Sequence, residues 1–432
     1  MYPGSRPRGR MSRRDFLRRS AGAAVALPSA AAILAACSKP GTLPEGGERA
    51  GIGGLNVGGP YPLARQDAPV TWTIFDDNQA IANDLPIEKD ATLLIYNWSY
   101  YMWKKVVEEF ADIYGVKWDI ATFTSTDESI AKMEAGQVAD VFFPTPDLLG
   151  KLVAGKLIQP LNHTYIPHIK DHWAEFTNPF YDQEWRYTVP YTIYTTGIAY
   201  RRDRVSDEEM AAKGYEIYWD PPDASFNGKI SIYNDKRETL GMAMLRRGST
   251  DVNTDDPGVI DQAKEDILEF VNTRDGLIKY NGAFHALPQG EPWIAQSWSG
   301  DIVYGANVSL PSGVSPDVLG FWYPADGGGM IGNDCLCIPK NAPHPVLAHK
   351  FLDFWISRKY ATENFTWNGY QPPLNSIEPD SLIDQGFVAP SLTAAVVESH
   401  HFDTGHFLLE VTPEVEQLYF NAWQQIRAGA ES

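Results

Sequence analysis

Residues 91–115 read ATLLIYNWSYYMWKKVVEEFADIYG, and the change of period inside them decides the fold class. Residues 91–98 form a β-type apolar run of strand length. From Trp103 onward the apolar side chains fall at helical spacing. Trp103, Val106, Val107, Phe110 and Ile113 share one face, and Gly115 supplies a stop. The same succession recurs downstream. DVFFPT (140–145) reads as a second buried strand, followed by the helix-like DLLGKLVAGK. IDQAKEDILEFV (260–271) and KFLDFWISRKY (350–360) have amphipathic period. Thr412-Pro413 opens a last helix carrying Val415, Leu418, Tyr419, Trp423 and Ile426, with Thr as N-cap and Pro at the first position. Strands alternating with helices predict an α/β class with mostly parallel sheets.

The chain has 432 residues, 44% of them hydrophobic and 12% aromatic, ample for a buried core. Its N-terminus stands apart from that core. SRRDFLRRS precedes the bland run AGAAVALPSAAAILAAC, and Arg13-Arg14 with Phe16-Leu17 match a twin-arginine export signal. The run ends in Leu34-Ala35-Ala36-Cys37, which resembles a bacterial lipobox with Cys37 as the lipidated residue. At 16 residues, Ala21 to Ala36 is short of the ~20 needed to span a bilayer. Met11 serves equally well as a start, since MSRRDFL carries the whole signal. Residues 1–37 are thus expected to be a signal and lipidation site. The Gly/Pro-rich stretch 38–86 is expected to be a flexible tether.

Removing residues 1–36 takes away seven Arg and one Asp and leaves a net charge of −25. A field that negative excludes nucleic acid and anionic lipid as partners and attracts cations. Cys335 and Cys337 in DCLCIP share a strand face in poor geometry for a mutual disulfide, so two buried thiols are expected.

The familiar catalytic signatures GxxxxGK[ST], GxSxG and HExxH are missing from the chain. ESHHFDTGH (398–406) holds three His, one Glu and one Asp, without a spacing that places the imidazoles on one face; a polar surface loop is the expected reading over a zinc site. One acidic pair carries more. In IYNDKRETL (232–240), Asp235 and Glu238 sit three apart where a strand-like run gives way to a helical one. Either they are an N-cap and its capping-box partner, or they face a ligand.

From about residue 90 to the C-terminus the chain resembles the spermidine/putrescine-binding proteins of bacterial ABC importers. IYNWSYY is similar to the family's first-strand motif, and DVFFPTPDLLGKL to its second-strand segment. VPYTIYTTGIAYRRD resembles the first crossing between lobes, and YNDKRETLGMAMLRRG the acidic ligand motif. SWSGD (297–301), GGGMIGNDCLCIPKNA and NGYQPPLN follow in the family's order. The ferric-binding alternative suggested by Tyr100-Tyr101 fits poorly just after the first strand.

The resemblance implies a two-lobe periplasmic-binding-protein-like fold of type II, with a hinge of several chain crossovers. Lobe 1 is expected at 87–198 and 333–378, and lobe 2 at 199–332 and 379–432. It implies ligand-binding roles for Trp98, Ser99, Tyr101, Thr145, Asp147, Asp235, Glu238, Trp298, Asp334 and Tyr370, with no catalytic residue, cofactor or metal. The implied ligand is spermidine, putrescine or a related cationic amine, and the implied partner an ABC permease. The protein itself would be a monomer lipid-anchored at Cys37 on the outer face of the cytoplasmic membrane.

Two positions depart from the pattern. Asp147 stands where the family often has an aromatic, and Gly332 where it often has a tryptophan. The site is therefore expected to trade aromatic walls for space and negative charge. Physically the set is coherent: a polyamine is an apolar chain with fixed ammonium groups, to be met by aromatic faces and carboxylates. A sensor on the same fold, and a secreted hydrolase using paired carboxylates, are the competing functions.

Overall fold

The structure, a computed structural model, describes residues 61–430. The expected signal, Cys37 and the part of the expected tether before residue 61 lie outside the described residues.

The opening stretch folds as read. β1 (Thr92–Trp98) is followed by helix α1 (Lys104–Tyr114) and then by β2 (Lys117–Phe123). Gly115 ends α1 in the left-handed region at φ 65, which a glycine adopts without strain. One expectation fails: Ile113 is 58% exposed. Burial on α1 follows Val106, Val107, Phe110 and Ala111, so Tyr114, at i+4 from Phe110, packs on that ring instead with centroids 4.5 Å apart.

β1 pairs in parallel with β2 and with β3 (Val141–Phe142). The chain then passes a short turn (Pro146–Leu148) and the helix Leu149–Ala154 to β4 (Thr188–Arg201), the long crossing strand. Next come β5 (Ile230–Ile232), helix α2 (Lys236–Arg246), helix α3 (Pro257–Arg274) and β6 (Leu277–Ile278). β7 (Ile294–Trp298) leads directly into the short helix Ser299–Tyr304. β8 (Leu319–Trp322) precedes the second crossing strand, β9 (Met330–Cys337), and β10 (His406–Phe407) pairs with it.

The ten strands form one sheet in the order β2-β1-β3-β9-β4-β7-β5-β6, with β10 beside β9 and β8 beside β4. Its wings are parallel, as expected, but its middle is not: β9 runs antiparallel to β3 and β4, and β4 to β7 and β8. The two strands that carry the chain from wing to wing travel in opposite directions, and that fixes the antiparallel centre.

Each wing has its own core. Leu93, Ile95, Val106, Phe110, Phe351 and Trp355 pack on one face of the β1 wing, and Tyr96, Phe123, Phe142, Leu152 and Tyr181 on the other. Ile230, Leu240, Met244, Ile267, Phe270 and Trp423 form the core of the β5 wing. The final helix, Pro413–Ala430, supplies that core with Tyr419, Trp423 and Ile426, and the Thr412 hydroxyl accepts the Val415 N–H at 3.4 Å. KFLDFWISRKY spans two helices, Pro345–Ile356 and Arg358–Asn368, because Ser357 is extended at ψ 143. Cys335 and Cys337 are buried free thiols on one face of β9.

The tether expected over 38–86 is corrected from Tyr61 onward. Val70 pairs by backbone with Phe180 and Gln183, and buried Trp72 donates its indole N–H to the Tyr181 carbonyl at 2.7 Å. Tyr61 donates to Glu410 at 2.6 Å. Glycine and proline content suggested a linker, but two apolar anchors, Val70 and Trp72, dock this stretch on the β1 wing.

Candidate functional site

A cleft between the two wings is bounded by the ends of β1, β3, β5 and β7 and by the crossing strands β4 and β9. All ten residues singled out from the sequence line it: Trp98, Ser99, Tyr101, Thr145, Asp147, Asp235, Glu238, Trp298, Asp334 and Tyr370. Strand ends in open α/β sheets are where such crevices form.

On the β1 side, Trp98 lies beside Phe123 at 4.6 Å, and among the described residues its indole N–H has no partner. Buried Tyr101 donates to Asp334 Oδ2 at 2.6 Å and also meets the Thr192 hydroxyl. Asp334 is buried, and among the described residues its Oδ1 has no donor. Burial pushes its carboxyl up to about 7, despite the Tyr101 hydrogen bond and with a further push from the Asp147 charge. Asp147 itself sits half-buried in the turn after β3, and the buried Thr145 hydroxyl before it has no partner among the described residues.

On the β5 side, the strand-to-helix turn answers the question of the acidic pair. Asp235 is the N-cap of α2, accepting the Arg237 and Glu238 N–H groups at 2.9 and 3.1 Å. Glu238 lies in the first turn of that helix, and its Oε1 accepts the Trp298 indole N–H at 2.7 Å. The Thr196 hydroxyl lies near the same carboxylate, and among the described residues neither it nor Oε2 has a hydrogen-bond partner. Burial first, then the Asp235 charge, lifts the Glu238 carboxyl to about 8. Among the described residues no Lys or Arg is ion-paired with Asp334 or Glu238.

Trp298 stacks on Tyr233 with ring centroids 4.2 Å apart, and Tyr370 packs edge-on to Tyr101 at 4.7 Å. Gly369, at φ 75, brings Tyr370 into place. A Cβ there would stand 2.3 Å from the Gly300 carbonyl, so only glycine lets the chain pass the helix at 299–304 this closely.

Sequence reading missed several lining residues. Asp301 is buried and accepts Tyr370 at 2.7 Å and Tyr233 at 2.6 Å, and burial raises its carboxyl to about 7. Its signal was available: it stands three after Trp298, in the first turn of a helix that follows a strand, as Glu238 does. Tyr194, from the middle of β4, also lines the cleft, and so do Tyr280 and Phe284. Lys151, Lys236, Arg237 and Glu416 border it as well, with Lys236 Nζ 3.0 Å from Glu416.

One expectation about shape is overturned. Gly332 does not open the cleft, because Tyr194, its cross-strand partner, lays its ring over the position. A Cβ on Gly332 would come within 2.7 Å of the Tyr194 Cζ. The wall missing from β9 is supplied from β4. In the 398–406 stretch Phe402 is buried and the His400 ring is exposed, while Phe407, just after it, lines the cleft. No group able to hold a metal occurs among the described residues.

A two-winged sheet crossed by antiparallel strands, with an acidic and aromatic cleft at the strand ends, defines the periplasmic-binding-protein-like α/β fold. The chain belongs to the bacterial extracellular solute-binding protein family, which its residues 105–386 match. It is 25% identical over 362 residues to the spermidine/putrescine-binding periplasmic protein 1 of Haemophilus influenzae, covering 81% of this chain and 90% of that one. It is 23% identical over 275 residues to the putrescine/cadaverine-binding protein of Pseudomonas aeruginosa, covering 63% and 76%. The solved spermidine/putrescine ABC transporter substrate-binding protein of Streptococcus pneumoniae superposes with a TM-score of 0.61 at 19% identity, covering 79% of this chain and 99% of that one. The protein is thus a solute-binding protein of the kind that serves transport.

Proposed function

We propose that this protein captures a polyamine, such as spermidine, putrescine or a related cationic amine, in its cleft and delivers it to an ABC permease. The observation that carries the reading is the state of Asp334 and Glu238. Both are buried, each keeps one oxygen without a donor among the described residues, and both lie among aromatic walls. An isolated buried carboxylate is unfavourable, and a ligand ammonium group relieves it. Trp98, Tyr101, Trp298 and Tyr370 then meet the methylene chain and add cation–π contacts of roughly 0.5–2 kcal/mol each. Ser99, Thr145, Asp147 and Asp235 complete the polar lining. The relatives that bind spermidine, putrescine and cadaverine support the same ligand class.

In this reading residues 87–198 with 333–378, and 199–332 with 379–432, are lobes that close on the ligand as a monomer. The receptor is held on the outer face of the cytoplasmic membrane by lipid at Cys37. Calorimetric titration with putrescine, cadaverine, spermidine and spermine tests it, with micromolar or tighter binding of at least one amine expected. No heat and no thermal shift with any of the four at millimolar concentration would overturn it.

A further inference from the structure

Along β4, Thr192, Tyr194 and Thr196 pair across to Asp334, Gly332 and Met330 of β9. Thr192 meets Tyr101, the donor to Asp334, while Thr196 faces Glu238. Tyr194 therefore stands between the residue tied to one buried carboxylate and the residue that faces the other. Its ring is 6.0 Å from Trp298 and 6.1 Å from Tyr370, centroid to centroid. Among the described residues nothing hydrogen-bonds its hydroxyl. Burial, and after it the charges of Asp334, Glu238, Asp147 and Asp235, keep that phenol protonated. A neutral phenol oxygen has lone pairs to offer an N–H, and an ionised carboxylate has no proton to give it.

A ligand whose end nitrogens are held at Asp334 and Glu238 must pass Tyr194. A methylene passing there makes no use of the hydroxyl, whereas an amine N–H donates to it. Resting on the amine-receptor reading, we propose that Tyr194 determines specificity by accepting an N–H from an inner nitrogen of the ligand. The cleft thereby favours triamines over diamines. Gly332 is glycine because any side chain there would displace the ring that does this.

The test is calorimetric titration of spermidine and putrescine into the unaltered protein and Tyr194→Phe, beside melts of Gly332→Ala with and without Tyr194→Ala. Tyr194→Phe is expected to lower the spermidine-to-putrescine affinity ratio about tenfold, the worth of one hydrogen bond to a charged group. Gly332→Ala is expected to lower the melting temperature less when Tyr194 is already alanine. An unchanged affinity ratio in Tyr194→Phe overturns this assignment alone. Silence of the unaltered protein toward both amines overturns the assignment, and silence toward cadaverine and spermine as well overturns the receptor reading with it. Equal melting losses in the two backgrounds overturn the account of Gly332.

Discussion

Asp235 and Glu238 lie three residues apart, yet their carboxylates have different employment. Asp235 accepts two backbone N–H groups and starts α2. Glu238 turns away from the capping box toward the Trp298 indole. Spacing could show that both sit at a helix start; only the rotamer of Glu238 decides where its charge goes, and spacing does not encode it. Asp235→Ala is therefore expected to lose roughly 0.5–2 kcal/mol of stability, and Asp235→Asn to be near neutral. Glu238→Gln is expected to weaken amine binding about ten- to a hundredfold, leaving the empty protein at least as stable. Melts of the empty variants beside amine titrations separate these roles. A Glu238→Gln protein that melts lower and binds amine as before would return Glu238 to a structural part. The same carboxylates set a pH dependence. Burial raises Glu238 from 4.5 to about 8, and Asp334 and Asp301 from 3.8 to about 7. As pH rises from about 4 to 8, the unfolded chain releases protons that the empty folded chain retains, so this contribution destabilises the empty protein progressively. A bound cation favours the ionised forms. Amine binding at pH 7 should expel protons and tighten between pH 6 and 8, which titrations in buffers of different ionisation enthalpy would show. Proton uptake on binding would contradict it.

Elements were legible wherever one period ran long enough to be unambiguous. The β1 strand and α1 helix stand where their patterns place them, and Thr412-Pro413 starts the last helix. The readings that failed depended on partners distant in the chain. That β4 and β9 would run antiparallel, and that Tyr194 would fill the space over Gly332, follows from pairing across more than a hundred residues. No local pattern fixes such a register. The ten lining residues were found because a family pattern supplied this long-range information, and the pattern's two departures left Tyr194 unseen. The tether failed differently. Its composition is that of a linker, and two residues outweigh the composition. Trp72 is 3% exposed and packed with Phe142, Tyr181 and Tyr187. Trp72→Ala is expected to cost roughly 3–5 kcal/mol, the usual range for emptying a tryptophan site in a core. Urea melts of the otherwise unaltered chain measure it. A loss under about 1 kcal/mol would mean that the segment lies on the body without contributing to it.

At the scale of the whole molecule, charge and attachment pull in different directions. With residues 1–36 removed the net charge is −25, which gathers cations around the cleft and repels the anionic face of a membrane. Electrostatics would therefore not hold the protein beside the proposed permease. None of the described helices is long and apolar enough to cross a membrane. In the proposed reading covalent lipid would supply what both lack, since each buried methylene is worth about 0.8 kcal/mol and two or more chains make attachment durable. The Leu34-Ala35-Ala36-Cys37 run is where the sequence offers such a modification, and Arg13-Arg14 offers the export route. Cys37→Ser is accordingly expected to leave the protein unprocessed or to move it into the soluble envelope fraction. Replacing Arg13 and Arg14 together by lysine should strand folded, amine-binding protein in the cytoplasm. Fractionation, with the mass of the mature N-terminus, reads both outcomes. If Cys37→Ser protein stays on the membrane with its processing unchanged, the anchor lies elsewhere, and the repulsion of so acidic a body from the bilayer must be overcome by a protein partner instead.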